Sequence, residues 1–91
     1  MSDAWSLDDI LDALANHHQR ATYGAVGQLL HRPPFYLMQG RPRDRRHSWI
    51  VSKETGLPSG YAEAEMDPAL REKEEILQSG EELEFWLGSL P

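Results

Sequence analysis

The apolar residues near the start of the chain recur with the spacing of an α-helix, and this pattern constrains the fold more than any other. The recurring positions are Leu7, Ile10, Leu11, Leu14 and Ala15. Spacings of three and four residues are typical of a helix with one buried face. Ser6, followed three residues later by Asp9, resembles a capping box at its start. We therefore predict a first helix from Leu7 that ends near His17 and His18.

A second helix is predicted over residues 23–30. Thr22 is a suitable N-cap, and Pro33 and Pro34 end the helix. Gly24 and Gly27 leave one side nearly bare at a cost of roughly 1 kcal/mol each relative to alanine, which favours a close approach by another helix or by nucleic acid. A short third helix is expected from Pro34 through Gln39, because proline suits the first helical position.

The second half of the chain predicts a small amount of β-structure followed by helices. A strand is expected over Ser48–Ser52, and a return strand is expected to begin at Tyr61. Asp67 and Pro68 form a start signal for a helix that carries Leu70, Ile76 and Leu77. A last helix follows Ser79, whose spacing from Glu82 is that of a capping box.

These elements predict one α+β, mainly helical domain over residues 1–91. The order of elements is typical of a small winged-helix-like domain with a short two-stranded wing and acidic C-terminal helices over residues 67–88. The competing interpretation is an orthogonal helical bundle with an irregular loop. No apolar run approaches the roughly 18–20 residues of a membrane-spanning helix. The chain has no cysteine, which excludes disulfides, thiolate catalysis and Cys-based metal sites. A soluble, cytoplasmic domain is expected, with no membrane partner.

Charge is distributed unevenly along the chain. Residues 1–30 carry a net −3, residues 31–53 carry +5 and residues 54–91 carry −8. The basic block contains an arginine-rich loop over residues 40–47, and arginine suits bidentate recognition of phosphate. An equally weighted alternative is that this loop pairs within the chain, with Glu54, Glu63 or Glu65. Tyr23 and Tyr36 are candidates for contacts with phosphate or with a base, although buried packing is favoured for both.

The segment over residues 20–30, which contains Thr22-Tyr23-Gly24, resembles the start of the DNA-binding domain of the alkylguanine-DNA alkyltransferases and of their non-enzymatic relatives, the alkyltransferase-like proteins. The resemblance extends over about residues 7–61. It places a shortened recognition helix at Pro34–Met38 and the active-site strand and turn at Ser48–Gly56. What it implies is a DNA-binding domain.

The sequence differs from this family at the positions of the family's active-site residues. The alkyl-accepting Cys aligns with Ser48, and the His and Arg that follow it align with Trp49 and Ile50. A serine hydroxyl is a far weaker nucleophile than a thiolate near neutral pH. The family's intercalating arginine has no counterpart within Phe35–Met38. We therefore expect no alkyl transfer, and no enzyme activity is predicted.

The sequence thus favours a non-catalytic domain that binds double-stranded DNA. The candidate contact residues are Thr22, Tyr23, Arg32, Tyr36, Arg41, Arg43, Arg45, Arg46 and Lys53. The alternative is a protein-interaction or regulatory module whose acidic C-terminal helices meet a basic partner, and a weaker third option is an accessory domain of an enzyme. Cofactors and metals are not predicted, because His17 and His18 point in different directions on a helix and His31 and His47 have no partner at a ligand spacing.

Overall fold

Three α-helices surround a small parallel sheet in the computed structural model, which describes residues 5–33, 37–38, 40–41, 44–72 and 74–90. The helices are α1 (Leu7–His17), α2 (Tyr23–Leu30) and α3 (Gly80–Gly88). The strands are β1 (Arg20–Thr22), β2 (Ile50–Val51) and β3 (Ile76–Leu77). Short 3-10 helices cover Arg46–Trp49, Glu63–Glu65 and Pro68–Arg71. The predicted α+β class is confirmed.

Helix α1 begins and ends where its sequence predicts. The Ser6 hydroxyl accepts a hydrogen bond from the Asp9 amide at 3.1 Å, and the Asp9 carboxylate accepts one from the Ser6 amide at 3.2 Å. His18 ends the helix in the left-handed conformation, with φ 52°. The buried residues of the helix are Leu7, Ile10, Leu11 and Leu14. The predicted stripe is therefore the face that packs on the core.

Helix α2 is also confirmed, but the strand that precedes it was not predicted. The Thr22 hydroxyl accepts a hydrogen bond from the Ala25 amide at 3.0 Å and so caps the helix. Arg20, Ala21 and Thr22 are all buried and form β1. A strand of three residues between two helices is too short to show the period-2 alternation that identifies strands.

The sheet has the strand order β2-β1-β3, and both pairs are parallel. Ala21 pairs with Ile50 on one side and with Leu77 on the other. The predicted return strand at Tyr61 is wrong, because Tyr61 lies outside the strands and β2 pairs with β1 instead. The β-structure of the described residues is therefore a three-stranded parallel sheet rather than a two-stranded wing.

Two other predicted elements are wrong in part. The segment Ser48–Ser52 begins inside a 3-10 helix that continues through Trp49, so only Ile50 and Val51 form the strand. The helix expected after Asp67 ends at Arg71 as a 3-10 helix, and Ile76 and Leu77 pair with β1 as a strand. The start signal itself is real, because the Asp67 carboxylate accepts a hydrogen bond from the Ala69 amide at 2.9 Å. The helix predicted over Pro34–Gln39 lies largely outside the described residues.

Helix α3 packs against α2 through a glycine contact. The Ser79 hydroxyl accepts a hydrogen bond from the Glu82 amide at 3.1 Å, as predicted. The Gly80 amide donates to the Gln28 side chain at 2.7 Å. A Cβ atom on Gly80 would lie 2.7 Å from the Gln28 Cβ and 3.0 Å from the Leu29 amide nitrogen. The absence of a side chain at Gly80 therefore permits the close approach of the two helices at this point.

We expect Gly80→Ala to lower the free energy of unfolding by about 1–3 kcal/mol, because the added methyl group overpacks this contact. Gly88→Ala is the matched control, since a Cβ atom there has nothing within 4 Å. The control should be neutral or gain up to about 1 kcal/mol from helix propensity. Denaturant unfolding of both variants checks the prediction. Equal stability of the two variants would contradict it.

Candidate nucleic-acid interface

Tyr23 is held at the junction between the central strand and the second helix. It follows β1 directly as the first residue of α2. Its hydroxyl accepts a hydrogen bond from the Ser59 amide at 3.0 Å. Ser59 lies in the turn that follows β2, where Gly56 and Gly60 adopt φ values of 72° and 76°. The side chain of Tyr23 is half-buried, so it is partly packed within the fold and partly accessible to solvent.

An open pocket of about 470 Å³ lies beside Tyr23. Its lining residues are Tyr23, Met38, Gly40, Arg41, Ser59, Tyr61 and Glu65. Pockets of roughly 300–1,000 Å³ accommodate small ligands. The lining is mostly polar and includes both tyrosines, and Arg41 and Glu65 provide charges of opposite sign. The pocket is therefore suited to a polar group.

Arg41 and Arg46 join the basic segment to helix α1. Arg41 Nη1 lies 2.8 Å from Asp8 Oδ1, and Arg46 Nη2 lies 2.9 Å from Asp12 Oδ1 and 3.6 Å from Asp8 Oδ1. The arginine-rich loop thus pairs within the chain at these two positions. The partners that the sequence suggested for this pairing are wrong: the described Glu54, Glu63 and Glu65 form no ion pair, and both arginines turn to the aspartates of α1. Sequence spacing cannot reveal a contact between segments more than thirty residues apart.

These ion pairs perturb the charged groups that form them. The hydrogen bond from Arg41 and its positive charge, with a smaller contribution from Arg46, hold the pKa of Asp8 below its usual range. The hydrogen bond to Asp12 raises the pKa of Arg46 above its usual value. All four side chains are substantially exposed, with accessible fractions between 30% and 61%. Exposed pairs of this kind contribute little stability, so their main effect is to orient the loop.

Three other candidate cations form no ion pair among the described residues. Arg32, Arg45 and Lys53 are exposed, and within the described part of the chain no carboxylate lies within ion-pair distance of them. Arg43 and Tyr36 lie outside the described residues. Thr22 is 3% exposed and serves as the N-cap of α2, so its side chain is not on the surface. The described members of the predicted contact set therefore divide into two braced arginines, three exposed cations, the half-buried Tyr23 and a buried cap.

A compact polar group that was not predicted from the sequence lies at the start of the 3-10 helix Arg46–Trp49. His47 Nδ1 lies 2.6 Å from Asp44 Oδ1, which also accepts a hydrogen bond from the His47 amide at 3.0 Å. These bonds lower the pKa of Asp44. His47 is buried. The spacing of three residues between Asp44 and His47 was the available signal, since an Asp there commonly caps a following turn.

Ser48, which aligns with the alkyl-accepting Cys of the alkyltransferases, is fully buried. Its hydroxyl donates to the Arg45 carbonyl at 2.6 Å and accepts from the Asp67 amide at 3.1 Å. The hydroxyl therefore connects the basic segment to the chain before the 3-10 helix Pro68–Arg71.

The chain has no match among protein-family models, curated proteins or solved structures. Among the described residues, no three His, Asp or Glu side chains are grouped so as to hold a metal ion. None of the described helices combines the length and the hydropathy needed to cross a bilayer.

We expect Arg41→Gln to raise the pKa of Asp8 more than Arg46→Gln does, because Arg41 makes the shorter contact and the larger contribution. Carboxyl-carbon NMR titration of the parent and both variants measures this pKa directly. Since the pKa of Asp8 is lower in the folded state, its contribution to stability is present at neutral pH and is lost as the pH falls through that lowered pKa. A larger effect of Arg46→Gln would contradict the geometry described for the brace.

Proposed function

We propose that this domain binds double-stranded DNA without catalysing a reaction, through the surface around Tyr23. The observation that carries the proposal is the pocket beside the N-terminus of α2, whose lining includes Tyr23 and Tyr61. In this proposal α2 corresponds to one helix of the helix pair of a winged-helix-like domain. The resemblance of residues 20–30 to the alkyltransferase-like proteins supports the same choice.

The pocket supplies contacts that a base extruded from the duplex can use, and these offset the few kcal/mol that unpairing and unstacking it costs. Stacking of a base on an aromatic ring is worth about 1–3 kcal/mol and tolerates any sequence. At the pocket wall, Arg41 is held by Asp8 through Nη1 and has further N–H groups to donate to the polar edge of a base. The Glu65 carboxylate, whose Oε1 accepts from the Ala62 amide, has a second oxygen that can accept. A base in the pocket would lie against the ring of Tyr23, whose position is fixed by the hydrogen bond from Ser59.

The exposed cations supply the contacts to phosphate. Arg32, Arg45 and Lys53 have the freedom to turn toward a phosphate group, whereas Arg41 and Arg46 are already engaged by Asp8 and Asp12. Phosphate contacts position a protein on DNA without reading its sequence. Three such contacts predict a log–log salt slope of about −2.7, at roughly −0.9 for each phosphate neutralised.

Ser48 supports the non-catalytic part of the proposal. Its hydroxyl is buried and takes part in two backbone hydrogen bonds, so it is not presented to a substrate. Neither bond activates the oxygen as a nucleophile, because neither partner is a general base.

We expect a short duplex, added at about 50 mM salt, to shift the amide resonances of Tyr23, Ser59, Arg45 and Lys53. Arg45→Ala should weaken binding and make the salt slope shallower by about 0.9, because one phosphate contact is lost. Gln78→Glu is the matched control, since it changes the net charge by the same amount on an exposed residue in the acidic half of the chain. Absence of binding at this salt concentration, or equal effects of both variants, would overturn the proposal.

We expect Tyr23→Ala to weaken duplex binding about tenfold or more, because the ring that stacks on the base is removed. Tyr23→Phe keeps the ring and removes only the hydroxyl that accepts from Ser59, so its affinity should stay within a few-fold of the parent. Fluorescence anisotropy with a labelled duplex measures both, and thermal unfolding monitors their folding. Parent-like affinity of a folded Tyr23→Ala variant would show that the pocket takes no part in binding.

A further inference from the structure

A second open groove lies between β3 and α3, in a part of the molecule that the DNA proposal does not use. Its volume is about 540 Å³, and its apolar wall is made by Ile76, Leu77, Phe85 and Trp86. The side chain of Phe85 is 80% exposed, the one large hydrophobic residue in the described chain with this degree of exposure. Leu83 and Leu87 on the same helix are buried in the core. Helix α3 is therefore anchored by one face and presents an aromatic side chain on another.

The rim of this groove is acidic. Glu75 and Glu82 line it, and residues 74–90 contain five glutamates and no lysine or arginine. The carboxylate of Glu82 is held in place by a hydrogen bond from the Gln78 amide at 2.8 Å. His17 is the nearby titratable group from another element, and its ring meets Trp86 edge-on at 5.8 Å. The groove thus combines an apolar floor with a negative border.

The β3 side of the groove is an edge of the sheet. Within the described residues β3 pairs with β1 alone, so its outer edge carries no neighbouring strand. Unpaired edges bind extended peptides by adding a strand, and adjacent pockets then select side chains. The Glu75 carbonyl is already engaged by the Gln19 side chain at 3.0 Å. Because successive residues of a strand direct their N–H and C=O groups to opposite edges, only one of Ile76 and Leu77 presents its backbone groups to the outer edge.

We propose that this groove binds an extended, basic peptide segment of a partner protein. An apolar side chain of the peptide packs between Phe85 and Trp86, and flanking lysine or arginine side chains lie near Glu75 and Glu82. Opposite charge at the rim favours this occupant and rejects nucleic acid, whose phosphates the glutamates repel. The proposal is independent of DNA binding at Tyr23, because the two surfaces share no lining residue.

Repulsion between glutamates disfavours a second copy of this chain as the occupant. A symmetric dimer would bring the same patch of each subunit together. Glu75 and Glu82 of one subunit would then face the equivalent carboxylates of the other across an apolar contact. Repulsion between like charges in a desolvated interface is costly, whereas a basic peptide neutralises the same groups.

The probe is an end-blocked peptide of seven residues that alternates lysine and leucine. We expect it to bind by titration calorimetry and to shift the amide resonances of Ile76, Leu77, Phe85 and Trp86, while those of Tyr23 and Ser59 stay unchanged. A peptide with glutamate in place of lysine, and one with serine in place of leucine, should bind at least about tenfold more weakly. Equal binding of the three peptides, or shifts confined to residues outside the groove, would overturn the proposal.

Two variants and a matched control test the groove itself. Phe85→Ala should weaken binding of the lysine–leucine peptide about tenfold, as expected for an aromatic anchor at an interface, and its exposure predicts normal folding. Glu75→Gln should weaken binding several-fold and reduce its salt dependence. Glu84→Gln removes the same charge from an exposed residue of α3 that does not line the groove, so its effect should be smaller. An effect of Glu84→Gln as large as that of Glu75→Gln would mean general attraction rather than a site.

Sedimentation of the free protein as a dimer with a buried Phe85 would assign the groove to self-association and overturn the proposal. If the duplex fails to bind while this peptide binds, the DNA proposal alone fails.

Discussion

The central strand β1 joins the other elements of the domain to one another. Ala21 pairs with both neighbouring strands, and Thr22 continues directly into α2 as its cap. The buried guanidinium of Arg20 donates to the Gly56 carbonyl at 2.9 Å and so fixes the turn that follows β2. The side chain of Gln19, just before the strand, donates to the Glu75 carbonyl beside β3. A short strand can hold this position because its neighbours satisfy its backbone on both sides and its residues are buried.

This arrangement places the Tyr23 pocket near one outer strand of the sheet and the Phe85 groove near the other. The Tyr23 pocket depends on the β2 side, because the turn after β2 supplies Ser59. The groove at Phe85 depends on the β3 side, because β3 supplies its floor. The pocket is lined by Arg41 and Glu65, whereas the groove is bordered by Glu75 and Glu82. Although the charges are separated in sequence, the fold brings some of them together, because Arg41 and Arg46 pair with the aspartates of α1.

The three α-helices and part of β2 were predictable from the sequence, but the other two strands and the pairing of the sheet were not. Each helix carries local signals in its own residues: a capping side chain at Ser6, Thr22 or Ser79, and an apolar face at helical spacing. The strands contain two or three residues each, so they show no alternation. Ile76 and Leu77 fit the apolar spacing of a helix equally well, and only pairing with β1 decides their extended conformation. The return strand expected at Tyr61 failed for the same reason, since a turn followed by an aromatic residue says nothing about which strand β2 joins.

Some features of the candidate sites were likewise predictable from the sequence, and others depend on the tertiary structure. The sequence by itself determined the positions of the three main helices, the uneven distribution of charge and the absence of a thiol, because these depend on neighbouring residues or on composition. The tertiary structure alone decided which charges are engaged. In the folded chain Arg41 and Arg46 pair with Asp8 and Asp12, whereas Arg45 and Lys53 are exposed. The Ser48 hydroxyl is buried and forms two hydrogen bonds. The side chain of Phe85 is exposed. The physical reason is that ion pairs and packing contacts form between segments far apart in the chain, whose meeting is set by parallel strand pairing and not by any local pattern.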